Sequence, residues 1–154
     1  MKKVLFASFV VLSIGATSLA ARPINRKIDR KFENADLNND NLISQTEFLA
    51  TQSKRSALVV AYHRFDYADS NLDGFLDLTE FRAARGGRAG GKPNKTRRFQ
   101  LADENHDDLL DPFEFASTLR QRKSYAKVLR SFGKKDKNDD SVLSPAEFGI
   151  RGYQ

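Results

Sequence analysis

Residues 69–80 read Asp69-Ser70-Asn71-Leu72-Asp73-Gly74-Phe75-Leu76-Asp77-Leu78-Thr79-Glu80. Oxygen-bearing side chains stand at the first, third, fifth, ninth and twelfth places of this stretch. A hard cation wants six to eight oxygens at about 2.3–2.6 Å, and a twelve-residue loop is long enough to wrap one. Asp69, Asn71 and Asp73 offer side-chain oxygens from alternate positions. Gly74 permits the sharp turn with positive φ that redirects the chain. Phe75 then offers its backbone carbonyl, Asp77 binds directly or through a water, and Glu80 closes the shell with both oxygens.

The same pattern returns three times. One loop carries Asp36, Asn38, Asp40, Asn41, Leu42, Ser44 and Glu47. Another carries Asp103, Asn105, Asp107, Asp108, Leu109, Asp111 and Glu114, and the last Asp136, Asn138, Asp140, Ser141, Val142, Ser144 and Glu147. The first aspartates are spaced by 33, 34 and 33 residues.

The flanks repeat with the loops. Phe32, Phe65, Phe99 and Phe132 each precede a first Asp by four residues, and Phe48, Phe81, Phe115 and Phe148 each follow a closing Glu. Eight of the twelve phenylalanines therefore occupy equivalent places, where they would face one shared core. The eighth loop position is always aliphatic, as Ile43, Leu76, Leu110 and Leu143. The ninth and twelfth positions form a capping box opening each exiting helix, and Pro112 and Pro145 suit its first turn.

With four loops and their flanks in register, the chain resembles a four-EF-hand protein of the calmodulin-like superfamily, over about residues 24–149. The resemblance implies an all-α fold of paired helix-loop-helix units, with Ile43 facing Leu76 and Leu110 facing Leu143 across short bridges. It also implies calcium as the ion, up to four per chain. The ligands would be Asp36, Asn38, Asp40, Leu42, Ser44 and Glu47 in loop one, and Asp69, Asn71, Asp73, Phe75, Asp77 and Glu80 in loop two. Asp103, Asn105, Asp107, Leu109, Asp111 and Glu114 would serve loop three, and Asp136, Asn138, Asp140, Val142, Ser144 and Glu147 loop four. Loops two and three hold four acidic ligands against three in the others, and only loop two has Gly at its sixth place. The expected affinity falls from loop two to three, one and four. Dockerins share such loops but resemble Asp-closed pairs, and lanthanide-binding relatives carry Pro at the second place. Here Leu37, Ser70, Glu104 and Lys137 stand there.

Residues 1–20 read as a bacterial-type secretory signal peptide. Lys2 and Lys3 precede an apolar run, and Ser18-Leu19-Ala20 offers small residues for cleavage. The expected location is periplasmic or secreted, with no stable membrane anchor after cleavage. No cysteine is present, which removes disulfides, zinc thiolates and a thiol nucleophile.

The net charge of +6 has a local origin. Seven basic residues fall between Arg82 and Arg98, in a stretch that also holds four glycines and a proline. The organisation expected is one EF-hand pair over 24–85, a flexible basic linker over 86–94 with Asn94 capping the next helix, and a second pair over 95–154.

Three functional classes follow. A calcium sensor or buffer outside the cytoplasm comes first, and a calcium-stabilised structural or adhesion module at the envelope is the alternative. Catalysis has no support, because His63 and His106 lack partner spacing for a triad and the carboxylates belong to the loops. Phe113 and Leu58-Val59-Val60 are candidates for a selective apolar groove, though plain core is their first reading. The basic linker suits an unknown protein partner or an anionic envelope component. Nucleic acid is not expected, since no aromatics interleave the charges.

Overall fold

The computed structural model describes residues 25–153, so the expected signal peptide lies outside the described residues. The entering helices are α1 (Arg26–Ala35), α3 (Leu58–Ala68), α5 (Lys95–Gln100) and α7 (Tyr125–Gly133). The exiting helices are α2 (Gln45–Thr51), α4 (Leu78–Ala83), α6 (Pro112–Ser117) and α8 (Pro145–Phe148). The fold is all-α, as expected, with one two-stranded antiparallel sheet among the described residues. In it β1 (Ile43–Ser44) pairs with β2 (Phe75–Leu76), setting Ile43 opposite Leu76. Leu110 and Leu143 form the equivalent isolated bridge, with N–H···O distances of 2.8 and 3.0 Å in its two directions.

Capping chemistry starts each exiting helix. Ser44, Asp77, Asp111 and Ser144 all accept the backbone N–H of the Glu three residues on, and that Glu accepts the cap's own N–H in return. These reciprocal bonds satisfy two donors that the first helical turn would otherwise leave orphaned. At two of the four starts, Pro fills the first helical place.

The eight repeated phenylalanines are all buried, in two cores. Phe32 meets Phe81 edge to face with centroids 5.7 Å apart, and Phe48 meets Phe65 at 5.6 Å. Phe99 meets Phe148 at 5.6 Å, and Phe115 meets Phe132 at 5.7 Å. Each entering-helix ring thus packs on the exiting-helix ring of the neighbouring hand, which buries two apolar faces that neither hand could cover alone. Such contacts add about 0.5–1.5 kcal/mol beyond the area they bury.

Three local features differ from the sequence expectation. Helix α3 begins at Leu58 rather than near Lys54, because Ala57 pairs with Arg120 and Gln121 donates its N–H to the Ser56 carbonyl at 3.3 Å. That tertiary pairing takes the preceding residues out of the helix. Helix α3 also serves both cores. Val59, with Ala57 just before the helix, packs with the second set of rings, while Phe65 and Ala68 pack with the first.

The third difference is the glycine-rich segment, which lies against the first hand pair instead of hanging free. The Ala84 carbonyl accepts from Arg88 and Ala89, each at 3.0 Å, and a His63 Nε2 contact reaches the Gly90 carbonyl at 3.0 Å. Gly87 sits so close to the Phe48 ring that a Cβ there would lie 2.4 Å from it. Glycine serves here as a packing surface. As expected, Asn94 caps the next helix, accepting the Arg97 N–H at 2.8 Å.

Candidate metal centre

Each loop is shaped by its own carboxylates. The first Asp accepts the N–H of the sixth residue through Oδ2, at 2.9 Å from Asn41, 3.0 Å from Gly74, and 3.1 Å from both Asp108 and Ser141. The fifth-place Asp accepts the N–H of the seventh residue, from Leu42, Phe75, Leu109 and Val142, at 2.8–3.0 Å. The third-place Asn gives an amide N–H to that same Asp, at 2.8 Å from Asn38 to Asp40 and 2.7 Å from Asn138 to Asp140. These bonds close each loop on its own side-chain oxygens.

The fourth and sixth residues of every loop have positive φ. Asn39, Leu72, His106 and Asp139 lie at 57–60°, and Asn41, Gly74, Asp108 and Ser141 at 61–83°. The sequence signals this at Gly74, but Leu72 and His106 give no such hint. Tertiary closure of the loop imposes a conformation that costs such residues roughly 1 kcal/mol or more. His106 is not turned into a base by this. Its Nδ1 lies 3.1 Å from the Glu104 carbonyl, within the loop.

The closing Glu reaches back across each loop. One oxygen accepts the N–H of the second residue, from Leu37, Ser70, Glu104 and Lys137, at 2.9–3.0 Å. The other accepts the N–H of the ninth residue, at 2.9–3.1 Å. These donors stabilise the anion. The Lys137 N–H and the Ser144 hydroxyl hold the Glu147 carboxyl down at about 2. The Ser44 N–H and hydroxyl lower that of Glu47. Burial works against ionisation of Glu80, yet the Asp77 N–H and the Ser70 hydroxyl more than offset it. Ser70 is a supporting residue that the spacing rule overlooks, its hydroxyl 2.9 Å from Glu80 Oε1.

Charge compensation is missing. Asp36, Asp69, Asp103, Asp136, Glu47, Glu80 and Glu114 are all buried, and none has a basic partner among the described residues. Buried carboxylates without a counter-charge are costly, and a bound cation is the usual remedy. Loop four shows the need most directly. In the other three loops Oδ1 of the first Asp accepts the fifth residue's N–H at 3.2 Å. Asp136 Oδ1 is buried with no hydrogen-bond partner among the described residues.

The donor set fits a hard cation: carboxylate and amide oxygens, a hydroxyl in two loops, and backbone carbonyls, with no sulfur. Among the described residues, no three acidic or imidazole side chains gather closely enough to make a cage by themselves. Both oxygens of each closing Glu accept backbone N–H groups.

Of the other candidates, Val59 is core, whereas Phe113 is exposed and stacked on Tyr125 at 5.4 Å. Phe113 and Leu58 do line one open cavity. Tyr153, which no motif signals, packs on Phe99 and donates its hydroxyl to Asp108 of loop three at 2.9 Å.

Residues 28–50 and 62–83 match the family model described as EF hand. Two EF hands are therefore present, around the first two loops, and with them the means of binding calcium. No curated protein matches the chain. Among solved structures, 224 chains match. One is a homolog of programmed cell death 6 protein from Leishmania major Friedlin, 20% identical over 84% of this chain and 73% of that chain, with a TM-score of 0.37.

Proposed function

We propose that the protein binds calcium at all four loops and acts as a calcium sensor or buffer outside the cytoplasm. One observation carries this reading: the buried carboxylates recur in the same hydrogen-bonded loop four times, without basic partners among the described residues. The ligands are those named from the sequence, with Asp36, Asp69, Asp103 and Asp136 at the first place and Glu47, Glu80, Glu114 and Glu147 closing each shell. A divalent ion supplies positive charge at these carboxylates; the chain's part is to orient the oxygens and limit water. The protein is not proposed as an enzyme. Export rests on the Met1–Ala20 leader, with its basic start and small-residue cleavage site.

The test is calorimetric titration of the leaderless protein with Ca²⁺ and Mg²⁺, followed alongside by apolar-dye fluorescence. Near-stoichiometric heat for four calcium ions supports the reading, and absence of binding at about 1 mM calcium sinks it.

A calcium-stabilised structural module is the second reading. It is favoured by the sharing of α3 between both cores, which ties the two hand pairs together. Dye binding that rises with calcium marks a sensor, and helix content that rises while dye binding falls marks a structural module.

The basic segment remains a contact for an anionic partner, in a narrower form. Arg82 pairs with Asp29 at 2.7 Å and Arg97 with Asp66 at 2.6 Å, so two of its seven cations are used internally.

A further inference from the structure

The two connections between paired hands, around residues 52–57 and 118–123, meet through the Ala57–Arg120 bridge and the Gln121–Ser56 hydrogen bond. Their meeting leaves a cavity of about 490 Å³ whose charged lining is Arg55, Arg64, Lys92, Arg98, Arg120 and Lys123. Among the described residues, no Asp or Glu lines it. A second cavity of about 420 Å³ shares Ser56 and Arg64 with the first and adds Lys31 and Arg88, again without an acid. Six cations around one cavity repel one another, and none of the six forms an ion pair among the described residues.

Two of these side chains are short of acceptors. Arg64 Nε and Arg98 Nε are buried and lack any hydrogen-bond partner among the described residues, although Arg98 spends Nη2 on the Thr118 carbonyl at 2.7 Å. Buried guanidinium N–H groups left unpaired are costly and rare in folded proteins. A water molecule would accept a bond from one Nε but leave the six charges uncompensated.

We propose that this cleft is a binding site for a small anion bearing more than one phosphate group. A phosphate oxygen answers both deficits, accepting from guanidinium N–H groups in the planar fork geometry that suits it and neutralising several cations at once. The volume falls within the range of small-ligand sites, about 300–1,000 Å³. The residues come from separate parts of the chain, the first inter-hand connection, α3, the basic segment, α5 and the second inter-hand connection, so tertiary folding assembles the site. It stands apart from the four metal loops and does not depend on their occupancy by calcium. Of the basic segment it uses only Lys92 and Arg98.

The experiment titrates the leaderless, calcium-loaded protein with fructose 1,6-bisphosphate by calorimetry, and in parallel with phosphatidylcholine vesicles containing cardiolipin, whose headgroup carries two phosphates. Fructose 1,6-bisphosphate binding that weakens by about tenfold or more in Arg64→Gln and Arg98→Gln supports a free-phosphate ligand. Vesicle binding with the same dependence on these arginines supports a lipid headgroup as its source. The exposed pair Arg55→Gln/Lys123→Gln repeats the test without touching a buried group. Lys127→Gln/Arg130→Gln removes equal charge away from the cleft. An equal loss in that control, or no binding by either probe, overturns the proposal. Calcium titration of each variant confirms that the loops are intact.

Discussion

Phe48, at the start of the first exiting helix, packs edge to face on Phe65 of the second entering helix, with ring centroids 5.6 Å apart. Phe115 and Phe132 stand in the same relation in the second pair. Both contacts join one hand to its neighbour, so losing either opens a cavity across the pair interface. Phe48→Ala or Phe115→Ala should cost about 3–5 kcal/mol in urea denaturation of the calcium-loaded protein. Phe113→Ala, on an exposed ring, should change stability by no more than about 0.5 kcal/mol. Equal effects at Phe113 and Phe115 would contradict the core assignment.

Gly87 and Gly91 separate a packed segment from a loose one. Both have positive φ, at 72° and 66°, but a Cβ at Gly87 meets the Phe48 ring at 2.4 Å while one at Gly91 meets nothing within 4 Å. Gly91→Ala should cost only the left-handed backbone penalty, about 1–2 kcal/mol. Gly87→Ala adds overpacking and should cost about 2–4 kcal/mol. Thermal melts of the two variants check this, and indistinguishable losses would mean that the segment is a free tether.

Asp136 Oδ1 is a buried acceptor without a donor among the described residues. Replacing that residue with Asn removes a buried charge from the metal-free protein while deleting an oxygen anion from the proposed shell. Asp136→Asn should therefore leave metal-free stability unchanged or higher, and lower the calcium stoichiometry by one. Calorimetry with a metal-free melt reads both quantities. A variant that melts lower without calcium and keeps full stoichiometry would refute this account.

The Glu147 carboxyl, held at about 2 against an ordinary 4.5, links loop four to pH. Its folded value lies below its unfolded one, so the ionised form favours the folded state. That contribution is fully present above 4.5 and is lost as pH falls through about 2. Carboxyl-carbon NMR of the metal-free protein should show Glu147 titrating near 2. A midpoint near 4.5 would show that the Lys137 and Ser144 donors do not engage it.

Much of this molecule is written in local pattern. The Asp-x-Asn-x-Asp run, the Ser or Asp three residues before each closing Glu, and the flanking phenylalanines define the loops, the helix starts and the faces that pack. They do so because coordination, capping and helical periodicity act over at most twelve residues. The spacing of Asp69 to Glu80 is enough to place a hard-cation loop, and the family resemblance that its repetition carries implies the Ile43–Leu76 and Leu110–Leu143 pairings that the fold contains.

What tertiary structure decided lies between the repeats, where no local rule operates. Pairing of Ala57 with Arg120 delays α3 to Leu58 and lets Val59 enter the second core. The glycines of the basic segment, read locally as flexible, are held against Phe48 and His63 because a flat backbone fits where a side chain would not. Leu72 and His106 take positive φ because the loop must close around them. Arg64 and Arg98 meet at one cavity from helices more than 30 residues apart in sequence. Sequence spacing fixes what a single loop can bind; long-range packing fixes which side chains from different segments face each other.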